Sequence, residues 1–146
     1  MINIATSSDI SGLCDLLFLL FSKEDEFVPN KSVQEQGLKM IIENPSIGHI
    51  LVAKEDDKTI GMITILYTVS TALGGIVGLL EDMIVHPEYR SRGVGSQLVN
   101  YSLEFAKKQN LKRLTLLTDK SNTTAHAFYE KHNFIKSSMV PFRKII

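Results

Sequence analysis

The sequence predicts a single α/β domain, residues 1–146, built on a mixed sheet of six to seven strands with helices on both faces. Three observations carry this. Short apolar or alternating runs take turns along the chain with segments whose apolar residues recur at helical spacing. Turn signals at Pro45, Asp56-Asp57 and Gly74-Gly75 fall between these runs. A length of 146 residues with 44% hydrophobic content suits one core of ordinary size, with no repeat, linker or low-complexity segment.

Taken in order, INIAT reads as a short first strand. SSDISGLCDLLFLLFSK reads as a helix, with Ser7 or Ser8 as its cap and Ile10, Leu13, Leu17 and Leu20 on one face. The loop EDEFVPN precedes a second helix, KSVQEQGLKMIIEN, which stops before Pro45. HILVAKE and TIGMITILYTVS form a hairpin around the DDK turn, and the wholly apolar VGLL of VGLLEDMIV implies a strand buried on both faces. VGSQLVNYSLEFAKKQN is a third helix, LKRLTLLTD a strand and NTTAHAFYEKHN a short helix. FIKSSMVPFRKII is expected to close the sheet with one or two strands, Pro141 restricting it to an edge or bulge.

Bulk properties narrow the function. Net charge is zero, which argues against a protein that binds the nucleic-acid backbone. The charge is segregated, however: residues 1–85 hold 12 acids and 5 bases, residues 86–146 hold 4 acids and 11 bases. That asymmetry suits a cationic substrate beside acidic walls and an anionic cofactor beside basic ones, although solvated surface charge can also segregate. No apolar run approaches the ~20 residues of a membrane span, and no signal peptide is evident. A lone cysteine, Cys14, fits a reducing, cytoplasmic setting, where it serves as a small buried hydrophobe. His49, His86, His126 and His132 lack metal-ligand spacing, so no metal is expected.

The stretch VHPEYRSRGVGSQ carries the chemistry. A buried strand ends at Val85 and a helix begins near Gly93 to Gly95. Helix starts present unpaired N–H groups at the positive end of a dipole, glycine lets a phosphate approach the backbone, and Arg90 and Arg92 add charge. The natural guest is a phosphate or pyrophosphate; the other reading is a glycine-rich turn needing positive φ, with its arginines in water. No Gly-Lys pair of the nucleotide-triphosphate loop exists, and the dinucleotide fingerprint fails because Leu98 stands at its third glycine and the loop from His86 to Arg92 is too long.

Arg90-Ser91-Arg92-Gly93-Val94-Gly95 resembles the R/Q-x-x-G-x-G/A signature of the GNAT superfamily of N-acetyltransferases. A second motif, SNTTAHAFYEKHNF, is similar to that family's N-x-x-A-x-x-x-Y-E-K-x-G-F segment, and the element order agrees over nearly the whole chain. The resemblance implies a mostly antiparallel sheet whose central strand pair splays apart, and acetyl-CoA as co-substrate. It implies that Met83, Ile84 and Val85 pair with the pantetheine arm in the gap opposite Leu114 to Thr118. It also implies that the amides of Arg92, Gly93, Val94, Gly95 and Ser96 hold the pyrophosphate, with Arg90 and Ser91 completing the loop, and that Asn122 touches the coenzyme. Tyr129 occupies the position that protonates the departing thiolate in many members, with simple aromatic packing as its other reading.

An acceptor amine must lose a proton before it attacks the thioester. Glu81 and Asp82 lie on the strand just ahead of the pantetheine contacts, and alternation puts only one of them toward the substrate. The pair resembles that of polyamine-acetylating members, which favours Glu81 as base and holds Asp82 in reserve; both can equally be structural. The oxyanion would meet the N–H of Ile84 or Val85. The resemblance also makes the connection between the first two helices a wall of the acceptor site; here it carries Glu24, Asp25 and Glu26, which would suit a small cationic amine, with an acidic loop kept soluble by its charges as the plainer reading. Leu117 stands where some N-terminal-acetylating members have glutamate, which weakens a protein N-terminus as acceptor, although a protein lysine or N-terminus stays an alternative; Asn133 replaces the usual glycine and still tolerates left-handed backbone. A non-catalytic acyl-CoA-binding module of the same fold is the alternative, and the resemblance allows a homodimer.

Overall fold

In a computed structural model that describes residues 1–24 and 26–146, the chain runs β1 (Ile2–Ile4), a 3-10 turn (Ser7–Asp9) and α1 (Ile10–Phe21). It continues through α2 (Lys31–Ile42), β2 (Gly48–Glu55), β3 (Lys58–Ser70) and β4 (Gly75–Val85). A 3-10 turn (Pro87–Tyr89), α3 (Val94–Lys108), β5 (Leu114–Leu116) and α4 (Thr123–Lys131) follow. The sheet order is β1-β2-β3-β4-β5, antiparallel except for the parallel β4–β5 pair.

The sheet therefore has five strands among the described residues, not six to seven. The missing members are the closing strands expected after Phe134: residues 135–146 form no strand, and no described backbone group pairs with theirs. Strand residues need a ladder partner as well as propensity, and this segment has none among the described residues.

Alternation along the strands builds two cores. Ile50, Val52, Met62 and Ile84 meet Leu13, Leu16, Leu17 and Leu38 from α1 and α2. Leu51, Ile63, Ile65 and Leu80 meet Leu98 and Phe105 of α3 on the opposite face. Each fully buried side chain of this kind stabilises the fold by about 1.5–3 kcal/mol. Gly78 fixes the approach of β5 to β4, since a Cβ there would lie 2.6 Å from the Leu114 side chain. The cap of the first helical segment is one residue earlier than the sequence suggests. Thr6 donates its N–H (2.7 Å) and hydroxyl (3.1 Å) to Asp9, which α1 then follows. Burial alone would raise the Asp9 carboxyl, but its ion pair with Lys54 and the Thr6 bonds hold it below its ordinary value.

Candidate active site

The site grows from one irregularity in β4. Thr64 lies opposite Glu81 and Met62 opposite Ile84, so β3 spends one residue where β4 spends two. The surplus is a β-bulge with Asp82 at φ 50. A left-handed aspartate costs of order 1 kcal/mol or more and re-aims the side chains on either side. The simple alternation expected for Glu81 and Asp82 is thereby replaced: Glu81 is exposed, while Asp82 is half-buried. Burial, followed by the charges of Glu81 and Glu24, pushes the Asp82 carboxyl from 3.8 up to about 6. Across the bulge the fully buried Thr64 hydroxyl has no hydrogen-bond partner among the described residues.

Beyond the bulge β4 and β5 part. Their pairing covers only Gly78–Leu80 with Leu114–Leu116, so Glu81–Val85 has no strand on that side. The His86 N–H donates to Ile60 on β3 at 2.8 Å, and successive backbone groups alternate in direction, so the Val85 N–H turns toward the open side. The Val85 carbonyl on that side is already occupied by Arg90 Nε at 3.1 Å. Of the candidate pantetheine contacts, Met83 and Val85 thus border the gap, whereas Ile84 faces β3 and buries its side chain under α1.

Behind the gap, the loop from His86 to Gly93 turns on Ser91 (φ 59) and Gly93 (φ 82). The Arg92 guanidinium lies 5.0 Å above the Tyr89 ring, with Lys58 5.2 Å from the same ring. From Arg92 through Ser96, no backbone N–H meets an acceptor among the described residues, and the first helical bond of α3 is Gln97 to Gly93. Five consecutive free donors stand at the start of a 15-residue helix, a donor set that would fit a pyrophosphate. Arg90, the other arginine expected to add charge there, also braces the end of β4 through its Nε.

Helix α4 supplies the other wall. Asn122 caps it, its side-chain oxygen accepting from Ala125 N–H at 3.1 Å, which leaves its amide NH2 free for a ligand. Tyr129 packs between Phe128 (5.2 Å) and Phe134 (5.8 Å), and burial pushes its phenol up. Its hydroxyl has no partner among the described residues. His132 ties α4 to α3, its Nδ1 3.1 Å from Asn100 and its Nε2 3.2 Å from the Ser96 hydroxyl. Asn133 takes φ 65, the left-handed turn anticipated from its replacement of glycine.

The acidic wall is wider than the sequence suggests. Burial, then the charges of Asp119 and Glu26, raise the Glu24 carboxyl, and Glu81 adds to it. Arg143 acts in the opposite direction and pairs directly with Glu26. Asp25 lies outside the described residues. Asp119 and Arg143 were not singled out from the sequence; they belong to no motif, and only folding brings them beside Glu24.

Residues 12–134 match the Acetyltransferase (GNAT) family. The chain is 29% identical over 133 residues to YhfO, an uncharacterized N-acetyltransferase of Bacillus subtilis, covering 89% of this chain and 86% of that one. It is 23% identical over 142 residues to the aminoalkylphosphonate N-acetyltransferase of Salmonella typhimurium, covering 97% and 88% respectively. The solved structure of a possible acetyltransferase from Clostridium difficile superposes with a TM-score of 0.90 at 22% identity, over 100% of this chain and 97% of that one. No described helix is long and apolar enough to cross a membrane. Taken with the parted strands and the free amides behind them, the match over most of its length makes this chain a member of the GNAT family and an acetyl-transferring enzyme.

Proposed function

We propose that the protein transfers the acetyl group of acetyl-CoA to a primary amine of a small cationic molecule. The observation that carries the reading is the bulge at Asp82, which sets a half-buried carboxylate of pKa about 6 beside the gap between β4 and β5. Acetyl-CoA supplies the acyl group already activated as a thioester. In this reading the amides of Arg92 to Ser96 hold the pyrophosphate and Met83 and Val85 border the pantetheine arm. Asp82 removes a proton from the incoming ammonium, directly or through one water, so that the nitrogen lone pair forms the new C–N bond. The Val85 N–H offers a hydrogen bond to the developing oxyanion. As the C–S bond breaks, Tyr129 gives its proton to the sulfur, a role that suits a phenol kept protonated by burial, and the second proton leaving the acetylated nitrogen restores the phenol, directly or through water. Asp82 replaces Glu81 as the favoured base because a carboxylate titrating near neutrality is the better proton acceptor under working conditions. The acids at Glu24, Glu26, Glu81 and Asp119 favour a cation.

A second acceptor class has its own support. Arg143 stands on Glu26 at the edge of the acidic wall, where it could meet the anionic end of a zwitterionic amine, and one relative is named for aminoalkylphosphonates. Measuring thiol release with linear polyamines, aminoalkylphosphonates, amino acids and peptides separates these. The cationic reading expects the highest kcat/KM for polyamines. A preference for aminoalkylphosphonates that Arg143→Ala abolishes selects the zwitterionic class. Binding of acetyl-CoA without thiol release to any amine leaves a non-catalytic acyl-CoA-binding module instead.

A further inference from the structure

His132, the residue that ends α4, reaches the first two turns of α3 with both ring nitrogens: Nδ1 lies 3.1 Å from the Asn100 side-chain oxygen and Nε2 3.2 Å from the Ser96 hydroxyl. Phe128 stands edge-on to the ring at 4.9 Å and rests on the start of α3, where a Cβ on Gly95 would come within 3.6 Å of it. Ser96 thus belongs to two structures at once. Its N–H is the last of the row that meets no acceptor among the described residues, and its hydroxyl belongs to His132. Chemistry fixes which atom donates. An amide oxygen only accepts, so Nδ1 carries a hydrogen. In the neutral ring Nε2 then carries none, and the Ser96 hydroxyl must point its hydrogen at it. Ser96 shows only lone pairs outward in that state, and a phosphate oxygen repels them. A proton on Nε2 reverses the bond: Nε2 donates, the Ser96 oxygen accepts, and the hydroxyl hydrogen is free for an oxygen of phosphate.

We propose that His132 is a positioning residue for coenzyme A: it takes one proton from solvent as the pyrophosphate settles on the start of α3, and so turns the Ser96 hydroxyl from imidazole to phosphate while Asn100 holds the ring. This role rests on the reading that the amides of Arg92 to Ser96 receive the pyrophosphate. The two events favour each other by the same factor: the bound anion strengthens the ring's grip on its proton, and the proton strengthens the grip on the anion. Acid therefore favours binding. Of the charged groups on the elements that the ring joins, Glu104 and Lys107 follow Asn100 on α3, Arg92 lies just before that helix, and Glu130 and Lys131 precede the ring on α4. Glu104 and Lys107 pair with each other at 2.9 Å, and Arg92 stacks on Tyr89. Among the described residues no carboxylate forms an ion pair with His132, so a bound phosphate would supply the counter-charge.

Nuclear magnetic resonance of the imidazole signals, titrated from about pH 5 to about pH 9 with and without saturating coenzyme A, tests this on the full chain. The protein has four histidines, and the signal missing from His132→Gln belongs to His132. Its titration midpoint should move up by about one pH unit when coenzyme A binds. Ser96→Ala, which keeps the backbone amide, should cut that movement to less than about half. Calorimetry should find coenzyme A bound about tenfold more tightly by wild type than by His132→Gln near pH 5.5, and within about twofold near pH 8.5. A midpoint that stays in place with coenzyme A bound would overturn the role of His132 and leave the pyrophosphate reading standing, because a ring that merely ties α4 to α3 gains no proton. A midpoint that moves as far in Ser96→Ala would overturn the turning of the hydroxyl. Wild type that binds no coenzyme A would remove both the role and the reading beneath it.

Discussion

Replacing Asp82 with asparagine should make the protein more stable and nearly inactive. In the folded chain its carboxyl moves from 3.8 to about 6 through burial and the neighbouring Glu81 and Glu24. At about 1.4 kcal/mol per pH unit, the ionised form is destabilised by roughly 3 kcal/mol relative to the unfolded chain. The raised pKa means that the folded state holds its proton more tightly. This group therefore favours folding below about pH 4, and stability falls as pH rises from about 4 to about 6, with the full loss present above. Asparagine keeps the shape, tolerates the left-handed φ and never ionises. Urea denaturation should then show Asp82→Asn more stable than wild type by about 2–3 kcal/mol at pH 7.5, the gain shrinking below about 1 kcal/mol near pH 4. Thiol release should fall by roughly 10²–10³, since a positioned base contributes about that much. The acidic limb of the wild-type kcat/KM profile, centred near pH 6, should disappear. An unchanged rate with the limb intact would remove Asp82 as base and return the role to Glu81 or to a water chain. A loss of stability at neutral pH would refute the assigned burial of the charge.

Other consequences are separable. Tyr129→Phe retains the packing against Phe128 and Phe134, so turnover should drop about 10²-fold while acetyl-CoA affinity by calorimetry stays within about twofold; an unchanged rate would leave the residue as packing alone. Gly93→Ala forces a side chain into φ 82 at the start of α3 and should cost about 1 kcal/mol in thermal unfolding while weakening acetyl-CoA binding; unaltered affinity would mean that these amides do not hold the pyrophosphate. Thr64→Val removes a buried hydroxyl that has no partner, so stability should be unchanged or higher by up to about 1 kcal/mol. A clear loss would show that this hydroxyl is satisfied by a bound water.

Much of this architecture was legible because it rests on local pattern. Helical spacing located α1 to α4, the DDK and Gly74-Gly75 turns located the β2–β3 and β3–β4 hairpins, and the strand-glycine-helix order announced the row of free amides. What could not be read depended on long-range pairing. Glu81 and Asp82 sit in an unremarkable strand pattern, and only the register against Met62 and Thr64 creates the bulge. Asp119 and Arg143 reach Glu24 from distant parts of the chain and carry no spacing signal. The closing segment has the composition of a strand but no partner among the described residues, so propensity overcounted the sheet. Arg90 is instructive in another way: its motif position suggests phosphate, and the bond from its Nε to the Val85 carbonyl could not be read from that position.

The most direct test of the account follows both products of one reaction. Wild-type protein is incubated with acetyl-CoA and a linear polyamine at pH 7.5, free thiol is counted by its absorbance with a thiol reagent, and the amine is weighed by mass spectrometry. The account predicts one acetyl group gained by a primary amine for each thiol released, with both signals lost together in Asp82→Asn. Thiol release without an acetylated amine, or neither signal with any cationic amine, would contradict it.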